Sequence, residues 1–310
     1  MSHSASENSG RVSVVMPTYN RAKLLGRAID SALAQTAAEL CEIIVVDDGS
    51  TDNTADVVAA YGSRVRYLRQ ANAGASAARN AGIRASTGEF VAFLDSDDLW
   101  EPDKIERQLA AFVRWPEAVL VGGRAADRFA DGRVRLHPLP PIALDEPADF
   151  FLPLLRTNFL ATLTVMVRRE ALAGIELFPE DVQRFEDYHL WVRLACRGPG
   201  VYVSAPLATY NADTPGSLSQ DREAMLAAEI QVRYLLKDVL RERPDGREYW
   251  QRALARVLAS ARDRAYRGRR FGEAARLATA TLWHQPWSRP SWEWGRLVGS
   301  LWRAAVTRPG

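Results

Sequence analysis

The chain has 310 residues, 47% of them apolar and 25% charged, with a formal net charge of +2. That is enough for one large domain or two modest ones with proper cores, and the composition excludes a disordered or fibrous chain. No run of about 18 apolar residues occurs, so no membrane-spanning helix is expected, and the near-neutral total gives no ground for a nucleic-acid partner.

The first ten residues, "MSHSASENSG", are polar and read as a disordered N-terminus. They lack the apolar core of a secretory signal, so a cytoplasmic location is expected, free or on a membrane surface. From Arg11 the pattern alternates strand and helix. "VSVVMP" (12–17) reads as a strand, "RAKLLGRAIDSALAQ" (21–35) as a helix and "EIIVVD" (42–47) as a strand. Asp52 to Tyr61 reads as a helix capped by Ser50, Thr51 or Asp52. "VRYLR" (65–69) is a third strand and "GASAARNAGIRAS" (74–86) an Ala-rich helix; "EFVAFLD" (89–95) is a fourth strand, and Pro102 opens a helix to 113. Near-continuous Val/Ile/Leu strands separated by helices predict a Rossmann-like, mostly parallel sheet covered on both faces. Ligands of such sheets bind at the carboxyl ends of the strands.

Further on, "AVLVGG", "ATLTVMVRR" and "GVYVSAPLATY" read as strands and "EDYHLWVRLAC" (186–196) as a helix. Beyond about Gly216 strand patterns stop, which divides the chain into an α/β domain (11–215) and a helical C-terminal extension (216–310). The extension shows a helical stripe over 249–266, a second helix over 271–283 and a Trp-rich amphipathic segment over 291–306. From Arg241 onward there are 15 basic and 6 acidic residues, so the extension faces different surroundings from the acidic remainder. Cys41 and Cys196 lie far apart and, like the four histidines, form no metal-ligand spacing.

Two acidic clusters fall at strand ends: Asp47-Asp48, and "DSDD" with Asp95, Asp97 and Asp98. Carboxylates this dense raise one another's pKa unless a cation or donor groups intervene. A divalent Mg²⁺ or Mn²⁺, which takes one or two carboxylates and completes its shell with water and phosphate, would remove the conflict. Taken singly, each cluster could equally be a turn that caps the following helix.

Taken together and in order, "VSVVMPTYNRAKLLGRAIDSALAQT", "EIIVVDDGSTDNT", "NAGASAARNAGI", "GEFVAFLDSDDLWEPDKI" and "EDYHLWVRLA" resemble the family 2 glycosyltransferases, over about residues 11 to 210. The resemblance implies a GT-A fold. It further implies metal-dependent, inverting transfer of a hexosyl-type sugar from a nucleotide-diphosphate sugar, a UDP-sugar by preference, to an acceptor hydroxyl. It puts Pro17, Thr18, Tyr19, Asn20 and Asp48 against the nucleotide base, with Asp47 ordering the loop, although the sequence alone does not separate the two aspartates. Gly74, Arg79 and Asn80 would line the donor pocket, Asp97 would lie near the ribose, and Asp98 with Asp95 would hold Mn²⁺ or Mg²⁺. Asp187 would be the base. The pattern departs at His189, where many relatives carry an acid, and in "AGIELFPEDVQRF" before it. The implied setting is bacterial glycan assembly on a carbohydrate, lipid-linked or protein acceptor.

Other readings fit less well. A haloacid dehalogenase-type phosphatase needs its Asp-x-Asp near the first strand and a downstream lysine, and Lys23, Lys104 and Lys237 are not so placed. A dinucleotide-dependent dehydrogenase needs G-x-G-x-x-G where "MPTYNRAK" stands. A non-catalytic nucleotide-sugar-binding subunit is opposed by the intact Asp98 and Asp187. In the tail, Trp294, Leu297, Val298, Leu301, Trp302 and Ala305 share one helical face flanked by Arg296 and Arg303. That face suits either peripheral contact with an anionic membrane through 286–310 or docking on the preceding helices.

Overall fold

The computed structural model describes residues 10–211 and 221–284; the N-terminus and the amphipathic tail of the sequence reading lie outside these residues. The chain divides into two compact units, Met1–Leu154 with Asn158–Ser217 and Leu155–Thr157 with Leu218–Gly310.

The first unit is built on one sheet. Its first half contains β1 (Val12–Thr18), β2 (Cys41–Asp47), β3 (Val65–Arg69) and β4 (Phe90–Phe93), with helices α1 (Ala22–Leu33), α2 (Thr54–Ala59) and α3 (Ala75–Ala85) between them. These strands are parallel, in the order β3-β2-β1-β4. Every residue of β1 is buried, as a central strand covered on both faces requires. On α1 the apolar stripe Leu25, Ala28, Ile29 and Ala32 is buried against the sheet.

Short strand β5 (Leu99–Trp100) and helix α4 (Lys104–Arg114) follow, then β6 (Leu120–Arg128), β7 (Val134–Leu136), β8 (Pro147–Ala148), α5 (Phe151–Arg156), β9 (Met166–Arg168), α6 (Glu186–Ala195) and β10 (Gly200–Asn211). The second half of the sheet is mixed. β9 enters antiparallel between β4 and β6, while β10 runs parallel to β6 and antiparallel to β5. The sheet is thus mostly parallel where βαβ crossovers build it and antiparallel where they do not. "ATLTVMVRR" forms a strand only over Met166–Arg168; Thr162–Thr164 is a turn of 3₁₀-helix.

The small residues of α3 allow close approach to the sheet. A Cβ added at Gly82 would lie 2.3 Å from Val15 Cγ1 on β1. That proximity lets residues on the same helix reach the carboxyl ends of the strands.

The second unit contains α7 (Arg222–Leu235), α8 (Arg247–Arg267) and α9 (Phe271–His284). On α8, Trp250, Leu254, Val257, Leu258 and Ala265 are buried, as the helical stripe predicts. Buried Arg233 donates to Glu229 Oε1 at 2.7 Å and to Leu155 O at 2.9 Å, and accepts Trp250 Nε1 on its carbonyl at 2.6 Å. Among the described residues no helix is long and apolar enough to cross a membrane.

Gly82→Ala sets two effects against each other: a helix-propensity gain of up to about 1 kcal/mol and an overpacking loss of about 1–3 kcal/mol. Because Val15 is fully buried on a central strand and the added Cβ would lie 2.3 Å from its Cγ1, we expect a net loss. Urea unfolding should show it, with Val15→Ala restoring the midpoint in the double variant.

Candidate active site

The carboxyl ends of β1 and β2 meet at Thr18, which pairs in register with Asp47. Beyond β1, Asn20 takes a left-handed conformation (φ 51°). Its amide N–H donates to Ser50 Oγ at 2.9 Å, and its Oδ1 accepts Thr51 N at 2.8 Å. Asn20 therefore locks the two loops together. Neighbouring Tyr19 is 47% exposed, and the buried Thr18 hydroxyl has no hydrogen-bond partner among the described residues.

Asp47 and Asp48 are both buried, and separate donor sets keep them tolerable. Asp47 Oδ1 accepts Ser50 N at 2.8 Å, and its Oδ2 accepts the Tyr67 hydroxyl. Asp48 Oδ1 accepts Gln70 Nε2 at 2.7 Å and Ala73 N at 3.0 Å, and Oδ2 accepts Gly74 N at 2.7 Å. Asp47 thus closes the turn after β2, while Asp48 shapes the loop that enters α3. Gly74 caps that helix at φ +94°, a conformation that favours glycine.

Arg79 and Asn80 on α3 are both buried. Arg79 Nη2 donates to Asp95 Oδ1 at 2.7 Å and Nη1 to Glu186 Oε1 at 2.8 Å, with the guanidinium 5.4 Å from the Phe178 ring centroid. Burial opposes its charge, but Asp95 and Glu186 outweigh that and hold its pKa above the ordinary value. Asn80 grips Phe178 like a strand neighbour: Nδ2 donates to Phe178 O at 2.8 Å and Oδ1 accepts Phe178 N at 3.1 Å. Phe178 in turn packs edge-on to Phe93 and Trp191, at 5.4 and 6.0 Å. This seats the segment before α6, one of the two places where the sequence departs from the family pattern.

In "DSDD", Asp98 is buried and accepts Asn211 N on Oδ1 at 3.2 Å. Burial first, and then the charges of Asp95 and Asp97, push its carboxyl well above the usual range. Asp97 is raised by burial and Asp95. Among the described residues no three acidic, His or Cys side chains already converge as a ligand set. The donor chemistry nonetheless fits a hard divalent cation: the groups are oxygens only, and the burial and mutual repulsion that raise Asp97 and Asp98 would be relieved by a cation.

Asp187 opens α6 after Phe185, itself left-handed at φ 61°. Its Oδ2 accepts Thr162 Oγ1 at 2.8 Å and its Oδ1 accepts Tyr188 N at 2.6 Å. Burial, then the adjacent Glu186, push its carboxyl up to about 6. His189 lies fully buried on the same helix and accepts Arg193 Nε at 3.1 Å. Sequence reading missed Thr162, which it placed within a strand, and Tyr210, whose phenol is raised by burial and by the charges of Asp98, Asp187 and Asp95. The Tyr at the end of a strand pattern was the one signal for the latter.

The family model described as glycosyl transferase family 2 matches residues 13–175, more than half of the chain. An uncharacterized glycosyltransferase of Nostoc sp. is 47% identical over 106 residues, which span 33% of this chain and only 33% of that relative. Among solved structures, S. aureus TarS in complex with UDP-GlcNAc superposes with a TM-score of 0.69 at 19% identity, over 95% of this chain and 87% of that one. PcManGT, a mannosyltransferase from Pyrobaculum calidifontis in complex with GDP-Man and Mn²⁺, gives 0.52 at 24% identity over 96% and 86%. These likenesses establish the fold as GT-A.

Replacing Arg79 by Met leaves Asp95 and Glu186 without their shared cation. Breaking such a pair costs roughly 3 kcal/mol, and Arg79→Lys, a single point charge, should recover less than half of it. Chemical unfolding of both variants checks this; a loss below about 1 kcal/mol for Arg79→Met would contradict the bridge.

Proposed function

Since the chain belongs to glycosyl transferase family 2, we propose that it transfers a sugar from a nucleotide-diphosphate donor to an acceptor hydroxyl with inversion, using a divalent metal. The observation that carries this reading is the run of contacts Asp95–Arg79–Glu186, which joins the acidic donor-side loop to the helix start bearing Asp187. Tyr19, with Pro17, Thr18 and Asp48 around it, would hold the base; an exposed aromatic face suits a flat ring, and Asp48 retains a lone pair for an N–H donor. Asn20, Gly74 and Arg79 would act by shaping that pocket. Asp97 would meet the ribose. A UDP-sugar is favoured because TarS is solved with UDP-GlcNAc, although PcManGT carries GDP-Man.

Asp98, with the free oxygen of Asp95, would hold Mn²⁺ or Mg²⁺, which when bound neutralises charge on the departing diphosphate. Asp187, oriented by Thr162 and Tyr188 N, takes the proton from the acceptor hydroxyl. The acceptor oxygen then bonds to the anomeric carbon as the bond to the diphosphate breaks, and the diphosphate leaves with the electron pair. A single displacement inverts that carbon. A pKa of about 6 keeps Asp187 ionised at neutral pH yet more basic than an ordinary carboxylate, which a general base needs.

The first test is a thermal-shift panel of UDP, GDP, dTDP and CMP with and without Mn²⁺. At least one nucleotide should stabilise the protein, and more so with metal; no shift with any of the four would overturn the reading.

Two variants separate the roles. For the wild type, the transfer rate should fall below pH 6 as Asp187 protonates, by tenfold per unit once well below its pKa of about 6. Asp187→Asn should lose about 10²- to 10⁴-fold in kcat. Its stability should move the other way. The raised folded pKa means the wild type loses stability as pH rises through 6, so the Asn variant should melt higher at pH 8 and converge with wild type near pH 4. Near-normal turnover in that variant would exclude the base assignment. Asp98→Ala should abolish the Mn²⁺ enhancement of nucleotide binding, and full activity of chelator-treated wild type would refute the metal role.

A further inference from the structure

Strands β6, β7 and β10 lie side by side, and their register fixes which side chains share a face. Asp127 stands opposite Arg135 on β7 and opposite Tyr210 on β10. His137, two residues beyond Arg135, donates its backbone N–H to Ala125 O at 2.9 Å. Side chains alternate along strands, so Arg135, His137, Asp127 and Tyr210 lie on one face. Their contacts agree. The His137 imidazole stacks on the Tyr210 phenol with centroids 5.7 Å apart and planes at 20°. Its Nε2 lies 2.9 Å from Asp127 Oδ1, and Arg135 Nη2 donates to Asp127 Oδ2 at 2.6 Å. Burial opposes charge on Asp127, but His137 and Arg135 prevail and hold its carboxyl below the usual range.

This cluster adjoins the reaction centre but is no part of the donor-side machinery. The residue after Tyr210 bonds Asp98 through its backbone, and the phenol feels the charges of Asp98 and Asp187 together. Its hydroxyl makes no hydrogen bond among the described residues, and the His137 side chain is 34% exposed. A partly exposed imidazole, backed by the partly buried Tyr210 ring and rimmed by a carboxylate and a guanidinium, matches a pyranose, whose C–H face packs on a ring while its hydroxyls bond charged groups. A flexible peptide or an alkyl alcohol offers no such face.

We propose that the His137–Tyr210 stack is the acceptor subsite and that the acceptor is a sugar ring, an assignment that rests on the transferase reading. The outer face of His137 carries the ring, Tyr210 backs the imidazole and Asp127 fixes its orientation.

Saturation-transfer NMR tests this with the full chain, UDP and Mn²⁺. The probes are methyl glycosides of glucose, galactose, mannose and N-acetylglucosamine, with glycerol and a Ser/Thr peptide as comparators. Ring C–H protons of at least one pyranoside should be saturated, and those of glycerol and the peptide should not. His137→Ala should weaken that pyranoside about tenfold, whereas His137→Phe, which keeps an aromatic face, should stay within about threefold of wild type. In transfer assays the same variants should move acceptor KM more than kcat. Saturation unchanged in His137→Ala, binding of no pyranoside, or preference for the peptide would each overturn the subsite while nucleotide binding persists. Failure of wild type to bind any nucleotide would instead overturn the transferase reading, and this assignment with it.

Discussion

The site depends on one buried guanidinium. Five carboxylates, Asp95, Asp97, Asp98, Glu186 and Asp187, come from two segments about ninety residues apart in sequence, and their mutual repulsion would drive those segments apart. Arg79 donates to one acid from each segment, so the charge that stabilises the loop after β4 also fixes the start of α6. Breaking such an arrangement is costly because each acid is left partly desolvated without a partner. The bridge exists because α3 can lie close to β1, and that depends on the missing side chain at Gly82. Asn80, next along the helix, adds a second latch on Phe178.

The adjacent aspartates after β2 illustrate the same economy of donors. Consecutive residues of an extended chain point to opposite sides, so Asp47 and Asp48 reach different partners: a turn amide and Tyr67 for one, the loop amides before α3 for the other. Like charges side by side are stable here because hydrogen bonds, several of them from backbone N–H groups, meet each carboxylate. The result is a stiff rim at the carboxyl ends of β1 and β2, on which Tyr19 stands exposed.

At the other rim, opposing effects set the basicity of Asp187. A helix N-terminus and the hydrogen bonds from Thr162 and Tyr188 N favour the ionised form. Burial and the negative charge of Glu186 oppose them and prevail, giving a value near 6. Arg79 limits the rise by offsetting part of that charge, so the bridge that positions Asp187 also tunes it.

The sequence by itself determined the alternating half of the sheet, the helices flanking it, the two long helices of the extension and the two acidic clusters. Each of these rests on short-range periodicity or on contiguous motifs, which the chain carries locally. Tertiary structure decided the rest. The antiparallel insertion of β9 and the two- and three-residue strands β5, β7 and β8 are too short to show a period, and α5 and α7 gave no distinct signal. Asp95 and Glu186 were visible as acids, but their joint dependence on Arg79 was not. Nor could any local pattern bring His137 beside Tyr210, seventy-three residues later in the chain. Pairing register creates such neighbours, and register is a property of strands that meet only when the whole sheet has formed.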